Sequence, residues 1–106
     1  MKLTVYIDDQ QHEIEVPEFI LEQATDYFDM MDKDMDNGYQ MSRQWVDKPD
    51  QFQRCQIAGD KLLTAVQNKN RKTCILMAAY ILHRVPKIKA LMLTQRGDMN
   101  EHDIDL

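Results

Sequence analysis

The sequence predicts an α+β fold in which a small antiparallel sheet packs on helices. Leu3, Val5 and Ile7 alternate with polar residues, and a second alternating stretch follows the polar residues 8–11, which predicts an N-terminal β-hairpin. Several later stretches carry apolar residues at helical spacing, and an apolar run at 88–94 predicts a third strand. The predicted order is therefore a hairpin, three main helices plus a short one, and a C-terminal strand.

The first two elements follow from alternation and from a helix-start signal. No glycine occurs in residues 8–11, so we expect a hairpin loop of three to five residues built on a type I turn. Pro17 and the acid that follows it favour a helix start. Asn37-Gly38 is typical of a helix end, so the first helix is predicted over residues 18–36.

The remaining elements are set by caps and by apolar runs. Met41 and Trp45 stand four residues apart, which predicts a further short helix within residues 39–46. Asp50 is a predicted N-cap for a helix over 51–67. A third main helix is predicted over 71–84, and its unbroken apolar run makes it the buried central helix.

The C-terminal strand is apolar on both faces, which favours a central place in the sheet. After Gly97, acids alternate with Ile104 and Leu106, so residues 98–106 are either an acidic tail or an edge strand. The sequence therefore predicts one compact domain over residues 1–97 with this segment attached.

Composition excludes several classes of protein. The three glycines are far apart, which excludes the Walker-A loop and the G-x-G-x-x-G turn, and the single serine lacks a G-x-S-x-G setting. No apolar stretch is long enough to span a membrane. Two cysteines form no disulfide framework, so we expect a cytoplasmic protein. We expect no cofactor and no enzymatic activity, because each catalytic signature is missing.

Charge is distributed unevenly along the chain. Residues 1–60 hold fourteen acids and five bases, residues 61–97 hold eight bases and no acid, and residues 98–106 hold four acids. Such a bipolar chain indicates either that one part of the fold faces another, or that a partner binds one pole.

The acidic run Asp32-Lys33-Asp34-Met35-Asp36-Asn37-Gly38 resembles the start of an EF-hand calcium loop. The resemblance implies that Asp32, Asp34 and Asp36 bind a cation. Arg43 falls where the loop would need its bidentate glutamate. Asp29 joins these acids near the predicted end of a helix, where the dipole disfavours anions. A cation or basic side chains must compensate, or the helix continues past Gly38.

A second hypothesis concerns the basic segment 61–96, which would suit nucleic-acid binding if its cations lay on one face. Its only aromatic residue is Tyr80, and the chain as a whole is acidic, so we do not expect nucleic acid as the partner. The basic residues of the segment are Lys61, Lys69, Arg71, Lys72, Arg84, Lys87, Lys89 and Arg96.

The favoured hypothesis is a small protein-interaction or accessory protein, with a protein partner or a second copy of itself. Residues 32–46 would form the docking face, because Trp, Tyr and Arg are enriched at interaction hot spots. The candidate contact residues are Tyr39, Met41, Arg43 and Trp45. Reversing the charges of Asp32, Asp34 and Asp36 is expected to abolish the association without unfolding the domain.

Overall fold

The computed structural model describes all 106 residues and confirms the α+β fold. A four-stranded sheet packs on four helices, and a separate two-stranded hairpin connects the second and third helices along the chain. The strands are β1 (Lys2–Ile7), β2 (Gln10–Glu15), β3 (Tyr39–Met41), β4 (Gln44–Val46), β5 (Ala90–Leu93) and β6 (Asp103–Asp105). The helices are α1 (Glu18–Gln23), α2 (Thr25–Met35), α3 (Gln51–Gln67) and α4 (Arg71–Arg84), and a 3₁₀ turn spans Met99–Glu101.

The main sheet has the strand order β2-β1-β5-β6 and is mixed, not purely antiparallel as predicted. β1 pairs antiparallel with β2, whereas Val5 and Leu91 belong to a parallel pairing of β1 with β5. β5 is central, as its two apolar faces predict, and β6 pairs antiparallel with it. The relative direction of β1 and β5 depends on how the helices between them reverse the chain. Because the alternation of side chains is the same in parallel and antiparallel strands, the sequence pattern does not reveal that direction.

One face of this sheet carries the core. Leu3, Val5 and Ile7 are buried against the helices, as are Leu91 and Leu93 of β5. On the opposite face, Thr4, Tyr6 and Met92 are half-buried and lie outside that cluster. The molecule is therefore a two-layer structure with one open sheet face. None of its helices combines the length and apolar character that a bilayer crossing requires.

The predicted helix over 18–36 is divided into α1 and α2 at Ala24, whose backbone turns to φ −96° and ψ 14°. No glycine or proline marks this break, and the helical stripe continues through it, so the sequence offered no signal. The break allows α1 to contact both α4 and α2. Gly38, at φ 96°, ends this helical segment as predicted.

Residues 39–46 form a β-hairpin, so the short helix predicted there is wrong. Ser42, at φ 57°, opens a two-residue turn between the paired Met41 and Gln44. In so short a piece, a four-residue spacing fits either period, and aromatic residues favour the strand. The first hairpin also has a two-residue turn, Asp8–Asp9, shorter than the loop predicted, because Asp8 adopts φ 52° without being glycine.

The two long helices have the predicted boundaries because their caps are local. Asp50 accepts a hydrogen bond from the Gln53 backbone N–H at 2.8 Å, and the Gln53 side chain accepts one from the Asp50 N–H at 2.9 Å. This capping box fixes the start of α3. The side chain of Asn70 likewise caps the start of α4. Residues 77–82 of that helix are buried in the core.

The segment after Gly97 is held on α3 by polar contacts and contributes the edge strand β6. The buried Gln56 amide donates to the carbonyl oxygens of Asn100 and His102 at 3.0 and 2.9 Å. The buried His102 ring contacts Asp60 on α3 through Nε2 at 3.1 Å, and its Nδ1 accepts from the Thr94 N–H at 3.2 Å. Both ring nitrogens are therefore engaged within the fold.

Candidate functional site

The acidic side of α2 faces two arginines from other helices. Asp32 accepts from Arg84 Nε at 2.9 Å through one carboxylate oxygen and from Arg54 Nη1 at 3.2 Å through the other. The Tyr80 hydroxyl donates to the same oxygen as Arg54. Both oxygens of Asp32 are thus held by side chains of α3 and α4, which fixes three helices to one another.

The neighbouring aspartates extend this cluster. Arg54 donates to Asp36 at 2.6 Å, and Arg84 donates to Asp29 at 2.9 Å. Basic side chains therefore compensate the acids that lie towards the end of α2, which was one of the three alternatives that the sequence left open. Arg84 comes from the basic segment 61–96, so the two charged poles meet in part within one molecule.

The protonation states follow from these contacts. Burial acts to raise the pKa of Asp32, but the hydrogen bonds from Tyr80 and the two arginines outweigh it and hold that pKa below its usual value. Burial and the Asp32 carboxylate raise the pKa of Tyr80 well above that of a free tyrosine. Asp32 is therefore ionised and Tyr80 neutral near pH 7, which suits a structural anchor.

The structure does not bring Asp32, Asp34 and Asp36 together around one position. Asp32 and Asp36 both bind Arg54, whereas Asp34 is exposed and makes no ion pair. No group of three or more His, Cys, Asp or Glu residues is placed to hold a metal ion. An arginine thus lies between the two carboxylates that a cation would have to bridge.

Trp45, the only tryptophan, is 55% exposed on the outer side of the β3–β4 hairpin. Its indole N–H donates to the Asp47 carboxylate at 2.8 Å. The ring also packs on Gly38, where a Cβ atom would overlap the indole carbons. A large aromatic surface is therefore presented to solvent in a fixed orientation.

The other three candidate contact residues differ in exposure. Arg43 is exposed in the hairpin turn and makes no ion pair. Tyr39 is half-buried, with the Lys61 ammonium 5.7 Å from its ring centroid. Met41 is fully buried and belongs to the core, which corrects its assignment to the docking face. The hairpin thus offers Arg43 and Trp45 as its accessible pair.

The basic residues of segment 61–96 do not form one stripe. Lys69, Arg71 and Lys72 surround the start of α4, whereas Lys87 and Lys89 follow its end, about 20 Å away along a fourteen-residue helix. Arg84 is engaged by aspartates, and Arg96 lies 3.6 Å from Glu101. Lys61 lies apart from both groups, on α3 beside Tyr39. The cations that remain without acidic partners are therefore dispersed over the molecule.

Comparison of the chain with protein-family models, with curated proteins and with solved structures found no match. Function is therefore inferred from the geometry of the chain alone.

Proposed function

We propose that this chain is a non-enzymatic protein-interaction module that docks through the outer side of the β3–β4 hairpin. The observation that supports the proposal is the exposed indole of Trp45, held by a hydrogen bond to Asp47 and placed two residues along the hairpin from the exposed Arg43. The two cysteines are unlinked thiols, which favours a reducing compartment such as the cytosol.

Trp45 is preorganised for binding. An aromatic side chain that is already held by the protein loses little conformational entropy when a partner covers it. Gly38 below the ring and Asp47 at its N–H supply that restraint. Tryptophan buries a large area on binding, and a single such residue commonly contributes more than 2 kcal/mol to an interface.

Arg43 can add directional hydrogen bonds to this apolar contact. Its guanidinium lies two residues from Trp45 along the hairpin and is exposed, so its donors are available to a carboxylate of a partner. The partner that fits is a protein with an apolar pocket for the indole and an acid at the rim of that pocket. A second copy of this chain would also qualify, since its surface is rich in acids.

The decisive experiment compares two exposed aromatics. Affinity capture from host lysate would use the wild type, W45A and F19A, because Phe19 on α1 is an aromatic residue that is 58% exposed, close to the 55% of Trp45. Any captured protein is then titrated, purified, against the three chains. We expect W45A to bind at least about tenfold more weakly, corresponding to about 1.4 kcal/mol, and F19A to bind as the wild type does.

Two further measurements make the test complete. Light scattering during gel filtration of the wild type, W45A and R43E shows whether the partner is a second copy. Circular dichroism establishes that each variant is folded, and R43E provides a test that leaves the indole in place. Equal binding by W45A and the wild type would overturn the proposal, as would an equal loss in F19A.

A further inference from the structure

β2 presents a free backbone edge. Met1 and Val16 exchange two hydrogen bonds across the β1–β2 ladder, at 2.9 and 2.7 Å. In an antiparallel pair such hydrogen-bonded pairs alternate with non-bonded ones. By the observed register, Lys2–Glu15, Thr4–Glu13 and Tyr6–Gln11 are the non-bonded pairs. The N–H and C=O groups of Gln11, Glu13 and Glu15 therefore point away from β1.

A groove of about 640 Å³ lies between this edge and the start of α4. Ile14, Val66 and Ile75 contribute an apolar lining, and Cys74 lies among them. Lys69 and Arg71 stand on the rim opposite the strand. A free strand edge beside an apolar groove is the arrangement that accepts an added strand, since alternate side chains of that strand need somewhere to pack.

The charge of the edge specifies the occupant. Ile14 shares the core parity with Leu3, so Glu13 and Glu15 stand on the open face of the sheet. Their only ionic partners are Lys2 at 3.9 Å and the N-terminal ammonium at 3.8 Å, both exposed and therefore weak. An added strand would place side chains beside these glutamates, and opposite charges are favoured there.

We propose that the outer edge of β2 binds an extended peptide of a partner protein, in which apolar residues alternate with lysine or arginine. The apolar residues lie in the groove beside Ile14, and the basic ones lie on the open face beside Glu13 and Glu15. A second copy of β2 does not fit, because pairing two such edges would set glutamate beside glutamate. This surface is separate from the hairpin that carries Trp45.

The probe is a heptapeptide with blocked ends in which valine alternates with lysine, compared with the same peptide carrying glutamate for lysine. In ¹⁵N NMR titrations we expect the lysine peptide to perturb β2 and the start of α4. We also expect it to bind about tenfold more tightly than the glutamate peptide. Bound peptide should slow alkylation of Cys74, whereas Cys55, buried in the core with a pKa raised to about 11 by burial, is the unreactive internal control.

Matched variants separate strand addition from general attraction to an acidic protein. E13K/E15K should reverse the preference between the two peptides. D103K/D105K makes the same charge change on the opposite edge strand and should retain the preference. E13P removes an N–H that faces away from β1, so the ladder is kept. We expect E13P to bind about five- to tenfold more weakly than E13Q, which keeps that N–H.

Several outcomes would overturn the proposal. Equal binding of the two peptides, equal loss in D103K/D105K and E13K/E15K, or shifts confined to β6 would show that β2 does not select the peptide. Self-association of the wild type that E13P removes would identify a second copy as the occupant. Should E13P not fold, the comparison of E13K/E15K with D103K/D105K decides the question by itself.

Discussion

The indole ring of Trp45 occupies the space that a side chain at position 38 would fill, and Gly38 leaves that space free. The two residues stand seven positions apart, one at the end of the α2 segment and the other on β4. Gly38 has φ 96°, a conformation that L side chains rarely adopt. One glycine therefore performs two tasks, reversing the chain and supporting the exposed aromatic ring.

The first prediction follows from this contact. G38A should destabilise the fold by about 1–3 kcal/mol, because alanine is strained at this φ and its Cβ displaces the indole. Trp45 is the only tryptophan, so its fluorescence reports the displacement directly, and urea denaturation gives the free energy of unfolding. The emission maximum of G38A should move to longer wavelength as the ring becomes more solvated.

Gly97 provides the matched control for this variant. Its φ is 88°, but nothing lies within 4 Å of a Cβ built there. G97A therefore carries the backbone strain alone, at a cost of about 1 kcal/mol, and should leave Trp45 emission unchanged. If G38A and G97A cost the same and neither changes the emission, the packing of the indole on Gly38 contributes nothing.

The second prediction concerns the anchor at Asp32. D32N should cost about 1–3 kcal/mol of stability, because Arg54, Arg84 and Tyr80 each lose a charged acceptor in a site that is only 26% exposed. Asp29 and Asp36 remain as partners for the two arginines, which limits the loss. D34N, at an exposed aspartate without an ion pair, should change stability by less than about 0.5 kcal/mol.

A similar loss in D32N and D34N would contradict this assignment. The same contacts revise the charge-reversal test suggested by the sequence. Lysine at position 32 would face two arginines, so reversal of the three aspartates is expected to unfold the domain rather than remove a partner alone. Of these three residues, only Asp34 can be reversed without breaking an ion pair.

The third prediction is a pH dependence. The pKa of Asp32 is lower in the folded chain than its ordinary value of 3.8. Its contribution to stability is therefore complete above the unfolded value and is lost as the pH falls through the folded value. The difference in unfolding free energy between the wild type and D32N should be constant from pH 7 to about 5 and should shrink below about pH 4.

Urea denaturation of both proteins across this range checks the expectation. Asp98 also has a lowered pKa, owing to hydrogen bonds from Asn100, but it is present in both proteins and cancels in the difference. A difference that stays constant down to pH 3 would show that the Asp32 carboxylate is not held as described. At the alkaline end, the raised pKa of Tyr80 predicts stability that is lost above about pH 10.

The fourth prediction concerns calcium. Because Arg54 is bound to both Asp32 and Asp36, a cation would have to displace a guanidinium before it could bridge them. We expect millimolar calcium to leave the Tm unchanged at constant ionic strength, since a ligand that binds the native state must raise it. A rise in Tm that D34N abolishes would instead support the calcium hypothesis.

Local signals in the sequence were sufficient to predict the elements whose boundaries are set by neighbouring residues. The capping box of Asp50 and Gln53 spans three residues, and it set the start of α3 as predicted. The division at Ala24 and the hairpin at 39–46 were missed because each depends on contacts with distant parts of the fold. An apolar spacing that fits both a helix and a hairpin does not determine which one forms; contacts with the rest of the fold decide it.

The polar cluster was visible in the sequence only as an anomaly. Four aspartates near a helix end required compensation, but nothing near them identified the compensating groups. Arg54, Tyr80 and Arg84 lie 22, 48 and 52 positions from Asp32. The exposed Trp45 was recognised from residue type, whereas the contribution of Gly38 required the turn geometry.

The pairing of β1 with β5 has a consequence for the order of events during synthesis. Val5 pairs with Leu91, so the centre of the sheet joins two strands that are separated by 86 positions along the chain. A hairpin alone is marginally stable in water, and the helices bury their apolar sides against a sheet that is still incomplete. The central pairing of the sheet therefore cannot form until β5 has been synthesised, and the helices reach their final packing on the sheet only then.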